Sequence, residues 1–234
     1  MCGRFNVTED PLTEIFLDLV GQPFPGTENY NTAPTEDVWV IRDRDGAFES
    51  MQARWWLTPW WTKEPSTKYA MFNAKSETLA KSPAFKEPFQ RRRCVVPVSG
   101  FYEWTKSPHG KMPYYIRPAA DDGILLAGLW DRWRNRKTDE VLRSFTVVTT
   151  AVNERLEFVH NRQPVILSRD GARQWLDHDV PASQLAPLFD SRLPAPLSVI
   201  PVSTYVSNAR NKEARCVEPI GRTVDVESDS DDRR

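Results

Sequence analysis

The sequence predicts an α+β fold: a single domain built on a strongly bent, largely antiparallel, barrel-like β-sheet flanked by short helices. Three observations carry that expectation. Strand-like runs rich in β-branched and aromatic residues fill the middle of the chain. Its 19 prolines and 10 glycines fall so that they cut these runs short. Helical spacing appears only in brief stretches, and no internal repeat or linker divides the 234 residues, a length that can bury one contiguous core.

Taken in order, Asp10-Pro11 reads as a helix start, with aspartate as N-cap and proline at the first helical position. Leu12, Ile15, Phe16 and Leu19 then repeat at helical spacing and make one buried stripe. The polar stretch ENYNTAPT follows as a turn-forming segment. VWVIRDRDGAFESMQARWWL reads as a hairpin around Asp45-Gly46, and a helix is expected from Ser76, interrupted by Pro83 and Pro88. RCVVPV, FYEWT, PYYIRP, GILLAGLW and SFTVVTTAV read as strands. NERLEFVHN reads as a short helix leading into the strand QPVILS. Ser168 is placed to cap the helix RDGARQWL, and LSVIPVS is a late strand. The folded domain is expected over residues 2–222, and 223–234, ending DVESDSDDRR, as a disordered acidic tail.

Composition excludes several classes. Hydrophobic and charged fractions of 40% and 27% are ordinary for a soluble globular chain. No apolar run approaches a membrane span and no secretory signal opens the chain, so a cytoplasmic protein with no membrane partner is expected. Three cysteines (Cys2, Cys94, Cys216) without paired spacing argue against a disulfide framework, and no spacing of histidines and carboxylates suits a metal. Neither a metal nor a cofactor is expected. A net charge of −1 gives no global pull on nucleic acid, so any such binding must rest on local patches. The nine tryptophans are the one compositional excess, and tryptophan both fills cores and stacks on unpaired bases.

The residues able to carry chemistry are few. Cys2 directly follows Met1, and loss of Met1 would leave an α-amine and a thiol on adjacent carbons. Such groups titrate at about 7.7–8.0 and about 8.5 when unperturbed. Cys2 could be a small packed residue at a tied-down terminus, the thiol nucleophile of an N-terminal-nucleophile hydrolase, or an aminothiol that closes a thiazolidine on an aldehyde. His109 and His178 read as solvent-exposed. His160 precedes a buried-looking strand beside Arg162 and suits a core or a catalytic role equally. Glu103, among Phe101, Tyr102 and Trp104, is either desolvated for proton transfer or turned to solvent by strand alternation. In RWWLTPWW, Trp60 and Trp61 follow a proline in a loop and suggest a binding surface, although burial is expected for at least half of this tryptophan cluster. Basic runs at Arg91 to Arg93 and along RWRNRK are either solvated faces or phosphate contacts.

The motifs MCGRF, YNTAPT, FNAKSET, VSGFYEW, AGLW, VVTTAVN, VHNRQPVIL and PVSTYV occur in an order that resembles the SRAP (SOS response-associated peptidase) proteins, from Met1 to about Ile220. The resemblance implies a sensor of abasic sites in single-stranded DNA, which traps the ring-opened aldehyde as a thiazolidine on Cys2. It further implies that Asn73 orients Cys2 and the sugar, that Glu103 is the acid–base residue of deoxyribose ring opening, and that His160 shuttles protons. Arg4 and Lys75 resemble phosphate contacts, with Thr149 and Thr150 beside the backbone path and Arg162 in the same DNA-binding set as Trp60 and Trp61. An AP-lyase side path and self-removal of Met1 would accompany this activity. The expected setting is a monomer on the nucleoid, with replication-fork proteins as candidate partners. Three departures from the family's pattern stand out: Asn161 and Gln163 within HNRQP, Lys75 where arginine is common, and Trp56 where glycine is common. The rival class is a glutamine amidotransferase of the N-terminal-nucleophile type. Many of these also begin Met-Cys-Gly, but they carry an NGEIYN-like stretch that this chain lacks.

Overall fold

The computed structural model describes residues 2–107 and 110–229; Met1, Pro108, His109 and residues 230–234 lie outside the described residues. The chain opens with β1 (Phe5–Val7), α1 (Glu9–Val20), β2 (Asn29–Thr32), β3 (Asp37–Arg44), β4 (Ala47–Trp55) and β5 (Asn73–Lys75). It continues through α2 (Lys86–Arg91), β6 (Arg93–Val98), β7 (Gly100–Ser107), β8 (Gly110–Pro118), β9 (Ile124–Arg134) and β10 (Val141–Ala151). The last elements are β11 (Arg162–Pro164), β12 (Ile166–Leu167), α3 (Arg169–Leu176), β13 (Leu197–Pro201) and β14 (Val224–Val226).

Strands β4, β3, β6, β9 and β10 close into a five-stranded barrel, because β10 pairs antiparallel with β9 on one side and parallel with β4 on the other. Closure removes the exposed edges that an open sheet would present. A second, antiparallel sheet runs in the order β14-β13-β8-β7-β1-β2. Phe5 of β1 joins the two sheets by packing on Trp55 at a ring distance of 4.4 Å, and Trp55 stacks in turn on Phe145. The expected bent, barrel-like and largely antiparallel sheet is therefore present, with parallel pairing confined among the described residues to β10 with β4 and β5.

Several local expectations hold. Asp45 and Gly46 both adopt positive φ (55° and 85°), the turn geometry that suits the twist of the β3–β4 hairpin. Ser168 Oγ accepts from Gly171 N at 3.0 Å and caps α3. Leu12, Ile15, Phe16 and Leu19 are the buried stripe of α1.

Others need correction. The residue before α1 is Thr8, not Asp10; its backbone N–H and hydroxyl both donate to Ser99 Oγ, so the helix starts earlier. Asp10 and Pro11 still sit in the first turn, where the helix dipole favours acid and a missing N–H costs nothing. The helix expected from Ser76 shrinks to a 3-10 turn at Ser76–Thr78, and helical structure resumes only in α2, with Pro88 in its first turn. NERLEFVHN forms a single 3-10 turn, Glu154–Leu156, capped by Asn153. The segment expected to be disordered from residue 223 carries β14, which pairs with β13. Val226 is buried, and Asp229 accepts from Leu193 N and Asn153 Nδ2. The acidic composition of the tail concealed this short alternating strand. Among the described residues, no helix is long and apolar enough to cross a membrane.

Of the basic run at 91–93, only Arg91 is free to meet a phosphate. Arg93 is fully buried and donates to the carbonyls of Trp175, Phe89, Gln90, Asp177 and Val180, while Arg92 pairs with Glu87 and Asp131.

Candidate active site

β1 brings the amino-terminal end of the chain beside β7. The register Phe5↔Phe101, continued by Tyr102 N donating to Arg4 O at 2.9 Å, sets Cys2 and Glu103 close together at the end of the ladder. Glu103 is only 3% exposed, and burial pushes its carboxyl up to about 7. It therefore has both protonation states available near neutral pH. The Cys2 thiol is fully buried, and burial, reinforced by the negative charge of Glu103, pushes it well above an ordinary cysteine. Its Sγ lies 3.9 Å from Arg4 O.

β5 supplies the third member. Asn73 pairs with Val147 of β10, and its Nδ2 donates to the Cys2 carbonyl at 2.7 Å. Its Oδ1 is buried and has no hydrogen-bond partner among the described residues.

His160 completes the group from the loop before β11. The backbone of Arg162 orients the ring, with its N–H 3.0 Å and its carbonyl oxygen 3.3 Å from His160 Nδ1. Burial holds the imidazole below its usual value, so the neutral form prevails at pH 7. Glu103, His160 and Arg4 line one cleft of about 720 Å³ together with Trp104, Lys106, Lys111, Asn161 and Ser207.

The proposed DNA contacts divide. Arg4 lines the cleft, but its NH1 already donates to Asn31 Oδ1 and Val206 O at 2.9 Å. Lys75 is exposed, and Trp60 and Trp61 are 52% and 42% exposed with their rings edge to face. Arg162 is held by both oxygens of Glu77 (2.5 and 3.1 Å) and by Thr149 O. Thr149 and Thr150 are buried, the Thr149 hydroxyl accepting from Arg162 and the Thr150 hydroxyl donating to Phe189 O, so both hydroxyls already have partners within the chain.

Sequence reasoning missed three participants. Asn31, read only as part of a turn, is fully buried and ties Arg4 to the carbonyls of Val206, Asn208 and Asn211. Lys106 and Lys111 stand directly opposite one another across β7 and β8 and line the cleft. Like charges so placed repel and leave this side of the cleft positive; the spacing KSPHGK was the available cue. Among the described residues, no group of three or more histidine, cysteine or carboxylate side chains could hold a metal ion.

The family model of the SOS response associated peptidases (SRAP) matches residues 1–209. The chain belongs to the SRAP family. Among its relatives, the abasic site processing protein YoqW of Bacillus subtilis is 33% identical over 230 residues, covering 93% of this chain and 99% of the relative. The abasic site processing protein YedK of Escherichia coli is 32% identical over 94% of this chain and 100% of its own. The abasic site processing protein HMCES of Gallus gallus is 34% identical over 82% and 66%. A crystal structure of a Bacteroides thetaiotaomicron protein superposes with a TM-score of 0.77 at 22% identity, over 93% of this chain and 99% of the other. That likeness establishes the shared SRAP fold.

Proposed function

We propose that this SRAP protein processes abasic sites in single-stranded DNA by forming a thiazolidine on Cys2. Hydrolysis of the Met1–Cys2 bond, consuming one water, frees the α-amine. Protonated Glu103 donates to the ring oxygen of the deoxyribose as its bond to C1′ breaks, and the C1′ hydroxyl loses its proton to give the aldehyde. The amine adds to that aldehyde and water leaves, giving the imine. The thiol then adds across the C=N bond, its proton passing to the nitrogen, and the five-membered ring closes. His160, whose imidazole can both give and take a proton, is suited to relay these protons. The imine also acidifies the C2′ proton, so β-elimination is the competing lyase path, and ring closure removes the imine on which it depends.

The observation that carries this reading is the meeting of Cys2, Asn73 and Glu103: an aminothiol residue held by its own carbonyl against a carboxyl that titrates near neutrality. The abasic-site names of the relatives and the cations lining the cleft support it. Exposed Trp60 and Trp61, Lys75 and Arg4 are the residues assigned to the DNA strand, and a nucleoid-associated monomer that meets replication-fork proteins fits this role.

Incubation with an abasic-site oligonucleotide followed by a denaturing gel tests the proposal. A heat-stable adduct is expected with the parent and none with Cys2→Ala. An adduct that persists in Cys2→Ala, or glutamine hydrolysis without any adduct, would overturn it.

A further inference from the structure

The β9–β10 hairpin carries a concentration of positive charge that the reaction chemistry does not use. Arg132 and Arg143 are exposed and stand directly opposite one another in the antiparallel ladder, two residues beyond the Trp130–Phe145 pair. Arg134, Arg136 and Lys137 continue the cluster to the hairpin tip. Like charges placed directly opposite in this way destabilise a strand pair. Arg134 pairs with Asp139 at 2.9 Å, but among the described residues Arg132 and Arg143 form no ion pair. On a chain of net charge −1, the fold gains nothing from this crowding.

The opposite face of the same hairpin holds the exposed tryptophans in place. Asp131 accepts from Trp60 N at 3.1 Å, Trp133 Nε1 donates to Thr62 O at 2.8 Å, and Thr58 N donates to Ser144 Oγ at 2.8 Å. The one hairpin thus holds the loop already assigned to single-stranded DNA on one face and carries the cations on the other. Along β10, Arg143 lies four residues from Val147, whose partner Asn73 holds Cys2. That is a separation of about 13 Å along the strand.

We propose that the exposed face and tip of the β9–β10 hairpin bind phosphates of the DNA strand as it leaves the cleft past Trp60 and Trp61. This inference rests on the abasic-site reading above and adds a second anchoring surface to it. Arg132 and Arg143 supply two contacts, with Arg136 and Lys137 beyond them.

The test compares the parent with Arg132→Gln/Arg143→Gln, a change that relieves repulsion and leaves the strands paired. The probe is a fluorescein-labelled single strand without a lesion, titrated over a range of salt. Two lost contacts should lower the slope of log affinity against log salt by about 1.4, while the crosslinking rate at saturating abasic DNA stays at the parent value. Arg169→Gln/Arg173→Gln, on cations of α3 paired with Asp18, is the control and should leave the slope unchanged. An unaltered slope in the hairpin variant, or an equal fall in the control, overturns the proposal. A parent that binds no oligonucleotide overturns the abasic-site reading and this surface with it.

Discussion

Burial at 3% exposure pushes the Glu103 carboxyl up to about 7, and two measurable claims follow. Burial raises its value in the fold above the ordinary 4.5, so the folded chain binds a proton that the unfolded chain has released. Stability from this group is therefore present below about 4.5 and is lost as pH rises through about 7. Glu103→Gln should erase that slope, and thermal melts at pH 5 and pH 8 should converge by up to about 3 kcal/mol relative to the parent. If Glu103 is the acid of ring opening, the same variant should crosslink about 10²-fold more slowly. The alkaline fall of the rate profile near pH 7 should vanish with it; a parent-like rate and profile would remove Glu103 from the mechanism. Cys2 gives the complementary test. An alanine inserted between Met1 and Cys2 keeps the thiol but makes its nitrogen an amide, so no heat-stable adduct is expected on a denaturing gel. A stable adduct, with Met1 and the insertion verified by mass spectrometry, would refute the aminothiol mechanism.

At the scale of the element, the site depends on how closely β7 approaches β8. A Cβ at Gly100 would lie 2.5 Å from the Tyr115 ring and 2.7 Å from Ile116 O. Gly100→Ala must therefore shift β7, the strand that carries Glu103, and a loss of about 1–3 kcal/mol is expected on unfolding. Crosslinking should slow beyond what stability alone explains, because the carboxyl moves relative to Cys2. The tryptophan loop makes a similar case. Trp60 Nε1 donates to Glu87 Oε2 at 3.0 Å, and Arg92 bridges Glu87 and Asp131. Removing the acceptor with Glu87→Ala should weaken binding of a single strand by up to about tenfold, the worth of one hydrogen bond of this kind. The crosslinking rate at saturating DNA should not change. An affinity equal to that of the parent would show that the indole needs no such anchor.

Across the whole molecule, Arg93 joins the barrel to α2 and to the end of α3 through five carbonyls and no carboxylate. Burial lowers its value, yet the guanidinium's donors are satisfied in a planar fan that lysine could not reproduce. Arg93→Leu would leave those carbonyls without a donor. It should cost about 3 kcal/mol or more, a fall of about 10 °C in Tm for a chain of this size, with little effect on the chemistry of any molecules that stay folded.

The sequence by itself determined the strand-rich architecture, the Asp45-Gly46 hairpin, the stripe of α1 and the identity of the chemical groups. Each of these is written in neighbouring residues: alternation, turn chemistry, helical spacing, or an aminothiol placed behind Met1. Whether Glu103 is desolvated could not be read from FYEWT, because alternation allows either face and only the β1–β7 pairing buries it. The same holds for Asn31, which looks like a turn residue until the segment 206–211 folds over it, and for Arg93, which looks like one cation of three. β14 escaped because an acidic composition outweighed a three-residue alternation whose partner lies in β13. The tertiary structure decided burial and long-range partnership. These fix the pKa of a carboxyl and the worth of a cation, and they depend on what another part of the chain brings into contact.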